Sequence, residues 1–144
     1  MFAISPAQQL QYRAALHDKQ RRESISVLVV EDQPLLRRVL AEILHRECLI
    51  DEAENISGAW RHYLNRAHDI VFIDIGLTDG SGHDLAENIR KLEPSAHIIM
   101  ATASGAPADR KTAEHNRTNG YITKPYTRQI ICDHVAAYRL RRTA

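Results

Sequence analysis

The chain has little cysteine, almost no net charge and no long apolar run, and each shortage removes a class of protein. Its two cysteines, Cys48 and Cys132, stand far apart among apolar neighbours. That is neither a disulfide framework nor a zinc-ligand spacing, and it predicts two buried thiols in a reducing compartment. Lys and Arg number 19 against 18 Asp and Glu, so no overall field draws the chain toward nucleic acid or an anionic membrane. No apolar run approaches the ~18 residues of a membrane span. The first residues hold no apolar stretch of the ~7–15 residues that a secretion signal needs. The expectation is a cytoplasmic protein. There is no internal repeat and no low-complexity tract. A length of 144 residues suits one domain with a sizeable core.

What is present divides in two. Residues 1–24 read as a helical extension: Ser5-Pro6 is an N-cap followed by proline at the first helical position. Helix formers then run from Ala7 to Arg22, with a thin apolar stripe of Ala7, Leu10 and Ala14. From Ile25 to about residue 142 the pattern is regular. Ile25–Val30 reads as a strand. Leu35, Leu36, Val39, Leu40, Ile43 and Leu44 then recur at helical spacing. A short strand near Cys48–Ala53 and a stripe of Trp60, Tyr63, Leu64 and Ala67 follow. Ile70–Asp74 is a strand ahead of Leu85, Ile89 and Leu92. A fourth apolar run, 96–101, leads to a segment, 105–119, with no large apolar residue. Tyr121–Thr123 is a short strand, and Ile131, Val135 and Tyr138 mark the last helix. Five alternations of strand and helix mean an α/β fold with a parallel sheet covered on both faces. The Arg139-Leu140-Arg141-Arg142 run reads as cations at a helix C-terminus.

In such sheets ligands sit beyond the carboxyl ends of the strands, and the polar residues of this chain fall there. The first strand ends in Glu31-Asp32, the third in Asp74, the fourth in Thr102 and the fifth in Lys124. Singly, each has a plain alternative: Asp32 as a helix N-cap, Asp74 as a turn cap, Thr102 as a loop hydroxyl, Lys124 as a surface charge. Together they describe one site. Three carboxylates are not all comfortably ionised without a cation, and Mg²⁺ prefers such oxygen ligands together with water and phosphate. A carboxylate oxygen of Asp74 is then a nucleophile for phosphorus. Lys124 and Thr102 offer a cation and a hydroxyl to the phosphoryl oxygens.

These motifs resemble the receiver domain of two-component response regulators. The matching pieces are Val27-Leu28-Val29-Val30-Glu31-Asp32-Gln33-Pro34, Val71-Phe72-Ile73-Asp74-Ile75-Gly76-Leu77-Thr78-Asp79-Gly80, Ile98-Ile99-Met100-Ala101-Thr102-Ala103 and Gly120-Tyr121-Ile122-Thr123-Lys124-Pro125. The resemblance implies a doubly wound, flavodoxin-like sheet of strand order 2-1-3-4-5. It implies that Asp74 accepts a phosphoryl group from a phosphohistidine on a sensor histidine kinase or histidine phosphotransfer protein. Mg²⁺ would be held by Asp32, Asp74 and the Gly76 carbonyl, with Glu31 acting through water, and Lys124-Pro125 would be cis. Thr102 and Tyr121 would be the switch pair. They would alter the face formed by segment 105–119, the strand at Tyr121 and the last helix, and so control a downstream protein target. No separate substrate turnover, no nucleic acid and no membrane are expected. A homodimer through that face or through residues 1–24 is a further expectation. A phosphorylation-independent pseudo-receiver and a fragment of a longer regulator stand as alternatives to a stand-alone receiver.

Two departures from the family pattern carry expectations. Thr78 stands where proline is usual, which predicts a looser loop after Asp74. Segment 105–119 offers only Ala106, Ala108 and Ala113 as apolar anchors, which predicts a short, mobile or partly unwound helix. Two rivals on similar folds fit less well. Haloacid-dehalogenase-type phosphatases need an acid two residues after the nucleophile, where this chain has Gly76. Glu31-Asp32 would repel the phosphate of a flavin. The eight histidines show no metal spacing and read mostly as solvated.

Overall fold

The computed structural model describes residues 2–103 and 105–143. A central sheet is built from β1 (Ile25–Val30), β2 (Cys48–Ala53), β3 (Ile70–Asp74), β6 (His97–Thr102) and β7 (Gly120–Thr123), in the order β2-β1-β3-β6-β7 with every pair parallel. Counting the sheet's strands alone, this is the expected 2-1-3-4-5. Two short strands, β4 (Gly76–Leu77) and β5 (Gly80–Ser81), form a separate antiparallel hairpin directly after β3.

Alternation along each strand creates two cores. Ile25, Val27 and Val29 face one side with Phe72, Ile99 and Ile122; there they meet α2 (Pro34–Leu44) and α6 (Arg128–Thr143). Leu28 and Val30 face the other side with Val71, Ile73, Ile98 and Met100. There α3 (Ile56–Arg66), α4 (Gly82–Leu92) and α5 (Pro107–His115) cover the sheet. The α2 stripe is only half used: Leu40 and Leu44 are buried, while Leu35 and Val39 stay exposed.

The extension forms α1 (Pro6–Arg21) and packs on its own domain, chiefly along α3. Ser5 and Gln8 close a reciprocal capping box at its start. The face it buries is not the Ala7, Leu10, Ala14 stripe, all of which are exposed. Tyr12 and Ala15 enter the core instead, with Phe2, Ile4 and Leu16 packed against it. An amphipathic count misses this because the contact depends on one aromatic and one alanine.

The segment around α5 is anchored by polar groups as well as by Ala113. Buried Arg90 on α4 donates to the carbonyls of Pro94, Ala96, Asn116 and Arg117 and to Oδ1 of Asn119, at 2.6–3.3 Å. Asn116 donates to the carbonyl of His83 at 3.2 Å. The helix is short, nine residues, as expected, but it is held by a mechanism that hydrophobic periodicity does not register. Cys48 is buried as expected; Cys132 is exposed on α6, which corrects that reading. His68, His83 and His97 are buried rather than solvated, each with a partner: Asp51, Asp109 and Arg141.

Candidate functional site

The parallel ladder continues past the strand ends and draws the polar residues together. The amide of Glu31 donates to Ala53 at 3.0 Å, that of Ile75 to Ala101 at 3.0 Å, and that of Lys124 to Thr102 at 2.7 Å. Four strand ends thus open onto one edge, with Thr102 opposite Thr123 and Asp74 opposite Ala101.

Glu31 is almost fully buried, and its Oε1 lies 2.5 Å from the ammonium of Lys124. The same ammonium is 3.4 Å from Oδ2 of Asp74. One oxygen each of Glu31, Asp32 and Asp74 can be chosen so that all lie within 4.8 Å of one another. The carboxyl of Asp32 is pushed above its ordinary range by partial burial and then by its hydrogen bond and charge contact with Glu31. Asp32 is not the N-cap of α2; Gln33 holds that position and makes no side-chain cap. Its carboxylate is therefore not committed to the helix. Hard oxygen donors crowded to the point of repulsion suit a small divalent cation, so the donor set fits Mg²⁺.

The loop after Asp74 is tied at both ends. The amide of Gly82 donates to Ile75 at 2.8 Å. A Cβ at Gly82 would stand 2.1 Å from the Asp74 carbonyl oxygen, so only glycine lets α4 start this close to β3. At the turn, the Asp79 carboxylate accepts from the amides of Ile56 and Ser57 at 2.8 and 3.1 Å, at the N-terminus of α3. The loop containing Thr78 is therefore pinned through its neighbour, a restraint the missing proline did not suggest. Gly76 sits in the hairpin with open space where a Cβ would be.

Thr102 is buried beside this edge. Tyr121 lies on the edge strand opposite Met100, with the Arg110 guanidinium 4.5 Å from its ring centroid. Its hydroxyl is buried and finds no hydrogen-bond partner among the described residues. Lys124-Pro125 is cis. Sequence reasoning passed over Tyr126, directly after that bond. Burial pushes its hydroxyl up to about 12, with the charges of Glu31 and Asp74 acting the same way. Its only sequence signal was its place two residues beyond Lys124. His83, which the sequence allows near the active edge together with His115, has its Nε2 3.1 Å from Oδ1 of Asp109 and ties the start of α4 to α5.

A family model, the response regulator receiver domain, matches residues 27–136. The chain is 42% identical over 110 residues to the sensory transduction protein LytR of Staphylococcus epidermidis, covering 74% of this chain and 43% of that protein. It is 36% identical over 111 residues to the chemotaxis protein CheY of Halobacterium salinarum, covering 76% of this chain and 92% of that one. The match thus spans less than half of the LytR relative and nearly all of the CheY relative. Among solved structures, a two-component response regulator from Clostridium difficile superposes with a TM-score of 0.80 at 23% identity, over 84% of this chain and 100% of that one. A receiver domain protein from Methanospirillum hungatei gives 0.77 at 22% identity. At such identities these two likenesses speak for the fold alone.

Proposed function

The chain belongs to the response regulator receiver domain family, and from that premise we propose that Asp74 is the phosphoacceptor of a Mg²⁺-dependent signalling switch. The observation that carries this is the convergence of Glu31, Asp32 and Asp74, with Lys124 bridging Glu31 and Asp74. The donor is a phosphohistidine on a sensor kinase or a phosphotransfer protein. A carboxylate oxygen of Asp74 attacks phosphorus, the P–N bond breaks, and its electron pair leaves with the donor imidazole. The site's catalysis is alignment and charge neutralisation.

Asp32, Asp74 and the Gly76 carbonyl would hold Mg²⁺, with Glu31 contributing through water; the ion would neutralise the carboxylates and the incoming phosphoryl oxygens. Lys124 moves its ammonium from Glu31 to one phosphoryl oxygen, and the Thr102 hydroxyl donates to another. Movement of Thr102 gives Tyr121 room to turn inward. The α5-β7-α6 face then changes its contacts with a downstream protein or a second copy. The chain turns over no separate substrate in this reading. Residues 25–142 form the receiver unit, and residues 1–24 are an extension built onto it. No helix among the described residues is long and apolar enough to cross a membrane.

Incubation with Mg²⁺ and acetyl phosphate, read by intact mass, tests the proposal. One added phosphoryl group is expected, absent in Asp74→Asn and without Mg²⁺. An unmodified wild-type chain would replace this reading with that of a phosphorylation-independent interaction module.

A further inference from the structure

The N-terminal segment grips both of the helices to which the hairpin after Asp74 is bolted. At its start, the Phe2 ring stands edge-on to Trp60 of α3, with centroids 5.1 Å apart and planes at 86°. The Phe2 amide donates to Oδ1 of Asn88 on α4 at 2.7 Å, and Asn88 in turn donates to the carbonyl of Asp84 at 2.7 Å. Further along, Tyr12 lies against Tyr63 of α3, with centroids 5.9 Å apart, and its hydroxyl reaches Glu93 just past α4 at 3.4 Å. The segment is therefore a strap across α3 and α4.

Those helices hold the hairpin. Asp79 grips the first two amides of α3, and Trp60 lies one turn further into the same helix. Gly80, at φ +149°, brings the hairpin so near Ile56 that a Cβ there would be 3.0 Å from its Cδ1. Gly82 begins α4 against the carbonyl of Asp74. Between strap and hairpin lies a groove of about 430 Å³, walled by Phe2, Ile56, Trp60, Asp79 and Asp84. The hairpin itself packs on this side through Leu77 against the core and through Gly80 against Ile56. Hairpin and strap thus both contact α3, one at its first turn and the other at Trp60 and Tyr63.

We infer that residues 2–22 position the phosphoacceptor, acting through α3 and the Asp79 contact on the hairpin that follows Asp74. Phosphoryl transfer is sensitive to alignment, so a shift of this hairpin alters the rate at Asp74. The same contacts carry a change at Asp74 back to the strap: where strap docking favours the phosphorylated site in free energy, phosphorylation favours the docked strap equally. A partner that peels the N-terminal segment from α3 would thereby tune the switch from outside the α5-β7-α6 face. This inference rests on the reading of Asp74 as the phosphoacceptor.

Trp60 is the chain's single tryptophan and reports on the strap directly. The experiment uses the full chain with Mg²⁺ and acetyl phosphate, following labelling by intact mass and Trp60 emission in the same sample. Emission is expected to change in step with labelling. Phe2→Ala should label about fivefold more slowly or worse, and Phe2→Tyr, which keeps the ring, should restore the rate. Asp79→Asn should abolish the emission response. Leu10→Ala, on the exposed face of α1, should label like wild type. A wild type that labels while Trp60 stays silent overturns the coupling, as does an unchanged rate in Phe2→Ala. A wild type that takes no label overturns the phosphoacceptor reading beneath it. Far-UV circular dichroism checks each variant's fold, and if Asp79→Asn unfolds, the Phe2 pair and the wild-type emission decide.

Discussion

Lys124 and Glu31 form a buried ion pair, 2.5 Å from ammonium to carboxylate, with side chains 12% and 2% exposed. The pair places a cation inside an acidic site that also holds Asp32 and Asp74. Removing one partner of such a pair strands the other charge. Lys124→Met should lower stability by about 3–5 kcal/mol, measured by urea unfolding without divalent ions. On the proposed reading that Mg²⁺ binds this site in the folded chain, the loss should shrink at saturating Mg²⁺. A loss under about 1 kcal/mol, the range of an exposed pair, would contradict this account.

Arg90 has a structural role that its charge does not disclose. Its five hydrogen bonds go to four carbonyls and one side-chain amide, and burial pulls its pKa down first of all. It braces the chain between α5 and β7. Arg90→Lys should destabilise nearly as much as Arg90→Ala, by about 3 kcal/mol or more, because an ammonium does not reproduce the planar fork and buried acceptors lose their donors. Chemical unfolding of the two variants side by side checks this; a lysine variant close to wild type would refute it.

Acid sensitivity should come partly from His97. Burial, then the nearby Arg141 charge, lowers its pKa to about 4, and its Nδ1 sits 2.8 Å from the Arg141 guanidinium. The ring must be neutral to accept that hydrogen bond. The unfolded chain takes up the proton near pH 6.5 and the folded chain only near 4, so the unfolded state binds more protons in between. Stability should be fully present above about pH 6.5 and fall as pH drops toward 4. His68 is shifted in the same direction, again by burial first. His97→Gln should flatten the slope of unfolding free energy between pH 7 and 5; an unchanged slope would rule His97 out.

Two glycines should differ sharply. At Gly82 an added Cβ meets backbone, the Asp74 carbonyl oxygen, at 2.1 Å. At Gly120 it meets the His134 ring, at 2.7 Å, and a side chain near a helix surface can swing away. Gly82→Ala should therefore lower the melting temperature far more than Gly120→Ala and should also slow phosphorylation by displacing the strand end. Equal effects in thermal melts would show that α4 yields as readily as a side chain.

The alternation of Ile25–Val30, Ile70–Asp74 and the intervening helical stripes determined the parallel sheet, because side-chain period is a local property of the chain. The acids, hydroxyl and ammonium at the strand ends were legible for the same reason: once a strand's register is known, so is the residue at its tip. What tertiary structure decided were contacts between residues far apart in sequence. Tyr12, not the Ala7–Leu10–Ala14 stripe, attaches α1, because the receiving surface lies on α3 and α4. Asp79 pins the hairpin beside Thr78, which the missing proline did not suggest, because its carboxylate meets amides 22 and 23 residues earlier. Arg90 anchors a segment with almost no apolar residues by binding carbonyls, and carbonyls are the same at every position of a sequence. Periodicity records which faces are apolar; it does not record which polar atom another helix will bring to meet them.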